Sequence, residues 1–144
     1  MKRVVVILVS GFLVGCGGIT PTGSEKHLRS FTQESARPYQ EAYRIIDRRM
    51  RGCYRIIGTF GNGYDVQGEL DTLNQRGVIE VFRIGISGEE NHKNAAFGRT
   101  VTVAAAPGGS VITTTGTVQR HVYRTHKSIS AWLDGSISCS STSD

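Results

Sequence analysis

The sequence predicts an α+β two-layer sandwich, in which a five-stranded antiparallel meander sheet carries an N-terminal and a C-terminal helix on one face. Three observations carry this reading. Apolar residues recur at helical spacing over 37–51 and again after Gln119, and between those segments the period falls to two. The connections between the period-two segments are short and hold no crossover helix, which makes neighbouring strands antiparallel. Two amphipathic helices and a half-wet sheet can bury their apolar faces only against one another. The chain has 144 residues, 38% hydrophobic and 20% charged, which suits one such domain. The pattern bounds it at 36–139. Glycine without a period and the lack of an apolar run of about 20 residues exclude collagen-like, coiled-coil and multi-pass membrane classes.

The first helix is predicted over 37–51. Tyr39, Ala42, Tyr43, Ile46 and Met50 share one face, Pro38 stands near the start where its missing N–H costs little, and Gly52 is the expected stop. A strand follows over 53–60, closed by the hairpin sequence Gly61-Asn62-Gly63. Over 64–70, Tyr64, Val66, Gly68 and Leu70 alternate with Asp65, Gln67, Glu69 and Asp71, so one face is wet. After a polar turn at 74–77 comes a strand over 78–86, with Val78, Phe82, Ile84 and Ile86 on one side beside Glu80. A charged loop spans 87–96. Strands rich in Thr and Val then run over 99–105 and 111–118, joined by Pro107-Gly108-Gly109-Ser110. The last helix places Val122, His126, Ile129 and Leu133 on one side, with Trp132 flanking and Gly135 as the stop.

The N-terminus reads as an export leader over 1–15: Lys2 and Arg3 form a cationic head, and an apolar run over 4–14 is broken only at Ser10 and Gly11. Eleven residues rise about 16 Å as a helix, roughly half the hydrocarbon core, too short for a span. Leu13-Val14-Gly15-Cys16 resembles the lipobox of bacterial lipoproteins. That resemblance implies acylation of Cys16, palmitate among the chains, cleavage before it, and a membrane anchor made of lipid. By analogy with lipoprotein sorting, Gly17 in place of Asp implies the outer membrane, facing the periplasm, with surface exposure the variant. Two or more acyl chains anchor stably where one does not. The architecture also resembles several small proteobacterial lipoproteins of uncharacterised function. Residues 16–35 are then the lipidated Cys and a polar spacer, and 140–144 a tail.

Loss of Lys2 and Arg3 with the leader lowers the formal charge from +5 to +3. With Cys16 assigned to lipid, Cys53 and Cys139 remain as a disulfide pair in an oxidising compartment, the alternative being two buried free thiols. The loop closed would hold about 86 residues, worth roughly 4 to 5 kcal/mol in the chain-entropy model.

No catalytic constellation is legible. Asp65, Glu69 and Asp71 share a strand face, but alternation alone puts solvated residues there. His121 and His126 stand about 140° apart on a helix, unlike a zinc-binding pair. Glu89, Glu90 and His92 have the side chains for a metal but not a convergent spacing, so no metal and no cofactor is assigned. Arg44, Arg48 and Arg51, with Arg55 nearby, form a basic stripe for anionic lipid or an acidic envelope partner, the alternative being a solvated face. If the helices cover the Tyr64 side, the other face would display Arg55, Ile57, Ile79, Val81, Arg83 and the threonines at 113, 115 and 117 to a partner. Nucleic acid is excluded as a partner for an exported chain without an aromatic-basic code. The oligomeric state is not specified. The expected function is a non-enzymatic, periplasm-facing anchored binding or envelope-assembly module; the alternatives are a small envelope-polymer hydrolase and a structural surface antigen.

Overall fold

The computed structural model describes residues 28–58, 63–84 and 98–139. The leader, Cys16, the hairpin residues Gly61 and Asn62, the loop 87–96 and the tail 140–144 lie outside the described residues. The element order is β1 (Arg29–Ser35), α1 (Tyr39–Tyr54), β2 (Ile56–Ile57), β3 (Gly63–Asp71), β4 (Arg76–Ile84), β5 (Arg99–Ala106), β6 (Gly109–Gly116) and α2 (Gln119–Leu133). The fold is α+β. Strands β2 to β6 form the five-stranded antiparallel meander, and both helices pack on one of its faces.

One element was not expected. Arg29–Ser35, read as spacer, is strand β1, and it pairs antiparallel with β6 from Arg29 opposite Gly116 to Ser35 opposite Ser110. The sheet order is therefore β1-β6-β5-β4-β3-β2, and the domain begins at residue 29 rather than 36. Only Phe31 of this strand is a large apolar residue; what holds β1 is a seven-residue backbone ladder, which hydropathy does not register. Its inward side chains meet α2. Phe31 stacks against Tyr123 and His126 at centroid distances of 5.5 and 5.6 Å, and Ser130 Oγ donates to Gln33 Oε1.

Because β1 and β2 lie at opposite edges, α1 must run across the whole sheet, and it touches β3, β4, β5 and β6 on the way. Its buried residues are Ala42, Tyr43, Ile46 and Met50, as the spacing predicts. Gly52 does not end it. The helix continues to Tyr54, so Cys53 sits in the last turn rather than at the entry to a strand. Helix α2 lies beside α1, over β1 and β6. Its buried face comprises Val122, Thr125, Ser128, Ile129, Trp132 and Leu133, with His126 half-buried at the margin. Gly135 does stop α2. Its φ of 98° is the left-handed turn a glycine adopts freely, and Gly135 N–H donates to Trp132 O while Ser136 N–H donates to Ala131 O.

Register sets which strand residues face the helices. Val66 pairs with Val81 and Gly68 with Ile79, and paired residues share a face. The core is thus Val66, Ile79, Val81, Val101, Val103 and Ile112 from the sheet, closed by Ile46, Met50, Ile129 and Trp132 from the helices. The even positions of β4 from Val78 to Ile84, expected to share the covered side, are on the other face, and Ile86 lies outside the described residues. Phe82 of that set is nonetheless buried. Apolar residues on both sides of β4 are why periodicity alone chose wrongly there. Cys53 and Cys139 form the disulfide, with Cα atoms 5.1 Å apart across 86 positions of sequence.

Candidate functional site

The expected partner surface does not form as a unit. Ile79 and Val81 are 0% and 2% exposed and belong to the core, so the face that included them is not a contact surface. Arg83 is exposed near the end of β4. Thr113 does lie on the face turned from the helices, hydrogen-bonded to Thr32 across the β1–β6 pair at 3.3 Å.

The basic stripe is likewise broken by its own neighbours. Arg51 Nε donates to both carboxylate oxygens of Asp47 at 3.0 Å, and Arg51 NH1 donates to Val66 O at 3.0 Å. That side chain ties α1 to β3. Arg55 pairs with Asp65 at 3.2 Å. Arg44 and Arg48 stay exposed on the helix and have no such tie among the described residues. Replacing Arg51 with Gln is expected to lower stability by about 1 kcal/mol, because one hydrogen bond to a backbone carbonyl and a half-exposed ion pair are lost. Arg44→Gln should shift it by less than about 0.5 kcal/mol. Urea unfolding of both variants makes the comparison.

The row of acids is mostly engaged. Asp65 accepts from Val66 N–H at 2.8 Å besides pairing with Arg55, and Asp71 accepts from the N–H groups of Leu73 and Asn74 at 3.0 Å. The hydrogen bonds from Asn74 hold the Asp71 carboxyl below its ordinary value. Its role is to close the 72–75 turn, where Gln75 takes a φ of 51°. Glu69 is exposed. Among the described residues no group of three His, Cys, Asp or Glu side chains is placed to hold a metal, and no helix is long and apolar enough to cross a membrane.

A different group of residues converges at the sheet end near the start of α2. Arg99 opens β5 with the same parity as Val101 and Val103, so its side chain points under the helices. Its guanidinium carbon stands 4.4 Å over the ring of Tyr54, the last residue of α1, and its NH1 donates to Thr125 Oγ1 at 2.8 Å. The Tyr54 hydroxyl lies 3.3 Å from the same Thr125 oxygen, and its ring meets Trp132 edge-on at 6.3 Å. Arg99 Nε is buried with no hydrogen-bond partner. The ion pairs among the described residues are Arg37–Glu41, Arg51–Asp47 and Arg55–Asp65; Arg99 is in none of them.

The surroundings add positive charge rather than removing it. The first turn of α2 holds no acidic residue, although that is where one is most stabilising, and it carries Arg120 and His121 instead. Burial, then Arg99, Arg120 and Arg124, push the His121 imidazole below its ordinary pKa. Burial also lowers Arg99, which stays charged as guanidinium does in proteins. The helix start lies close to the Arg99 side chain. A Cβ added at Gly116 would lie 2.8 Å from Val122 Cγ2 and 3.6 Å from Arg99 Cγ. Sequence reasoning passed over this cluster, yet one signal was present: an arginine in phase with the inward Val101 and Val103 is a charge directed at the core.

No family model matches the chain and no curated protein matches it. Solved structures similar in outline include these two. The crystal structure of Ara h 8.0201 aligns at 12% identity and a TM-score of 0.42, covering 76% of this chain and 95% of that one. An uncharacterised protein from Rhizobium leguminosarum, solved at 1.9 Å, aligns at 13% identity and a TM-score of 0.41, covering 75% and 94%. Neither likeness transfers a function.

Proposed function

We propose that the protein is a lipid-anchored, non-catalytic binding or assembly module of the bacterial envelope, held at the periplasmic side of the outer membrane through Cys16. The observation that supports this best is the cysteine usage. The Cys53–Cys139 disulfide takes both cysteines of the folded domain, which leaves Cys16, in the lipobox-like Leu13-Val14-Gly15-Cys16, as the one available for acylation. A disulfide also suits an exported chain, since thiols stay reduced in the cytosol.

The start of β1 at Arg29 shortens the tether the sequence implies. Twelve residues between Cys16 and the domain reach at most about 40 Å fully extended, so the domain would work close to the bilayer surface. Arg44 and Arg48 on α1 are the exposed cations of the stripe left to face anionic headgroups or an acidic partner.

The test is metabolic labelling with an alkynyl fatty acid followed by fractionation. The wild-type chain should carry the label and sediment with membranes, and Cys16→Ser should lose the label and remain in the soluble fraction. An unlabelled wild-type chain, or a Cys16→Ser chain that still labels, would dismiss the anchor.

A further inference from the structure

We propose that Arg99, Thr125 and Tyr54, beneath the start of α2, form a binding site for an oxyanion, the carboxylate or phosphate group of a small ligand. This goes beyond the anchoring reading and stands whether or not Cys16 is acylated.

A buried guanidinium is costly unless an opposite charge and hydrogen bonds compensate it. Arg99 meets neutral groups, the Thr125 hydroxyl that accepts from NH1 and the face and hydroxyl of Tyr54, and its Nε is buried and unpartnered. No acidic side chain among the described residues pairs with it. The charges that act on His121, in the first turn of α2, are cationic: Arg99, Arg120 and Arg124. The positive end of the α2 dipole lies at the same place without an acidic residue in the first turn. Such a concentration of one sign around a group that cannot lose its proton is balanced by an anion.

The donors also fit the ligand. Arginine presents its N–H groups in a planar fork that matches a carboxylate or phosphate edge. NH1 is already engaged with Thr125, and the stacking on Tyr54 fixes the plane of the fork. Nε, itself buried, is the donor of the fork that lacks an acceptor. The Thr125 and Tyr54 hydroxyls, hydrogen-bonded to each other at 3.3 Å, leave one O–H between them to donate to the same ligand. The aromatic surroundings of Tyr54, Tyr64 and Trp132 favour an anion carried on an apolar body over a free inorganic ion.

The chain holds one tryptophan, Trp132, and its contact with Tyr54 makes its fluorescence a local reporter. The experiment titrates the full chain in detergent micelles with sodium phosphate and, separately, sodium acetate, at ionic strength held constant with chloride. A saturable fluorescence change and a rise in melting temperature are expected with at least one anion, at half-saturation in the millimolar range suited to so small a probe. A response to phosphate alone assigns a phosphate ligand and a response to acetate alone a carboxylate. Arg99→Met should abolish the response and, without anion, melt no lower than wild type, because it removes an unpaired buried charge. Arg99→Lys keeps the charge but not the fork and should weaken binding at least tenfold, which covers the case in which Arg99→Met fails to fold. No saturable change with either anion, a response retained in both Arg99 variants, or an equal loss in Arg44→Gln would overturn the site.

Discussion

Replacing both Cys53 and Cys139 with Ala is expected to lower unfolding stability by about 4 kcal/mol, the entropy of closing a loop of this length in the denatured chain. The structure adds a reason on the folded side. Past the end of α2, residues 136–139 bury little of their own surface; Ile137 is 75% exposed. They are held by the Gly135 turn, by the Trp132 Nε1–H bond to Ser138 O at 2.7 Å, and by the disulfide to the last turn of α1. Opening the disulfide frees Ser138, and the buried indole N–H then has to find water or stay unpaired. The two helices, both at the same face of the sheet, lose their covalent clip at once. Urea unfolding of the double variant against wild type measures the effect, and reduced wild type should match the variant. A loss below about 1 kcal/mol would mean that the denatured chain is not loosened by breaking this loop.

The expectation of an α+β sandwich succeeded where side-chain period and burial coincide. On α1, Ala42, Tyr43, Ile46 and Met50 lie one above another and nothing on the opposite side competes. The Gly135 stop was legible because few residues other than glycine take that backbone turn at low cost. Strand β1 was not legible because backbone pairing with β6 holds it, and Arg-Ser-Phe-Thr-Gln-Glu-Ser gives no apolar period. On β4 both sides carry apolar residues, so only the register with Val66 reveals that Ile79 and Val81 are inward. The candidate site shows the same division. Helical spacing puts Arg44, Arg48 and Arg51 on one stripe, but it cannot show that Arg51 reaches across to a carbonyl on β3. Arg99 was hidden for a related reason: a charge at a strand start reads as solvated until neighbouring elements are seen to close over it.

Gly77→Val is expected to destabilise the fold by about 3 kcal/mol, although valine is the better strand former. The reason is the hollow that two glycines leave in the core face of β3 and β4. A Cβ at Gly77 would lie 2.2 Å from Tyr43 Cδ2 and 2.8 Å from Cε2, and one at Gly68 would lie 2.6 Å from the Tyr43 hydroxyl and 2.4 Å from Asp47 Oδ1. Tyr43, only 7% exposed, therefore lies flat on backbone where any other residue would project a side chain. Its burial, with Asp47 beside it, raises the phenol pKa. Since α1 spans the sheet from one edge to the other, it cannot lift locally at Tyr43 without also shifting Ile46 and the Asp47–Arg51 tie. Expelling the ring costs about as much as truncating a buried aromatic, at the low end of 3 to 5 kcal/mol. A double-mutant cycle separates this from a general intolerance of β4. On a Tyr43→Ala background, Gly77→Val should cost less than about 1 kcal/mol, because the clashing ring is gone. Gly52→Ala is the matching control on α1. A Cβ there meets nothing within 4 Å, so the replacement should stabilise by about 0.5 to 1 kcal/mol through helix propensity alone. Equal costs for Gly77→Val with and without Tyr43 would show that the glycine serves the strand backbone and not the helix seated on it.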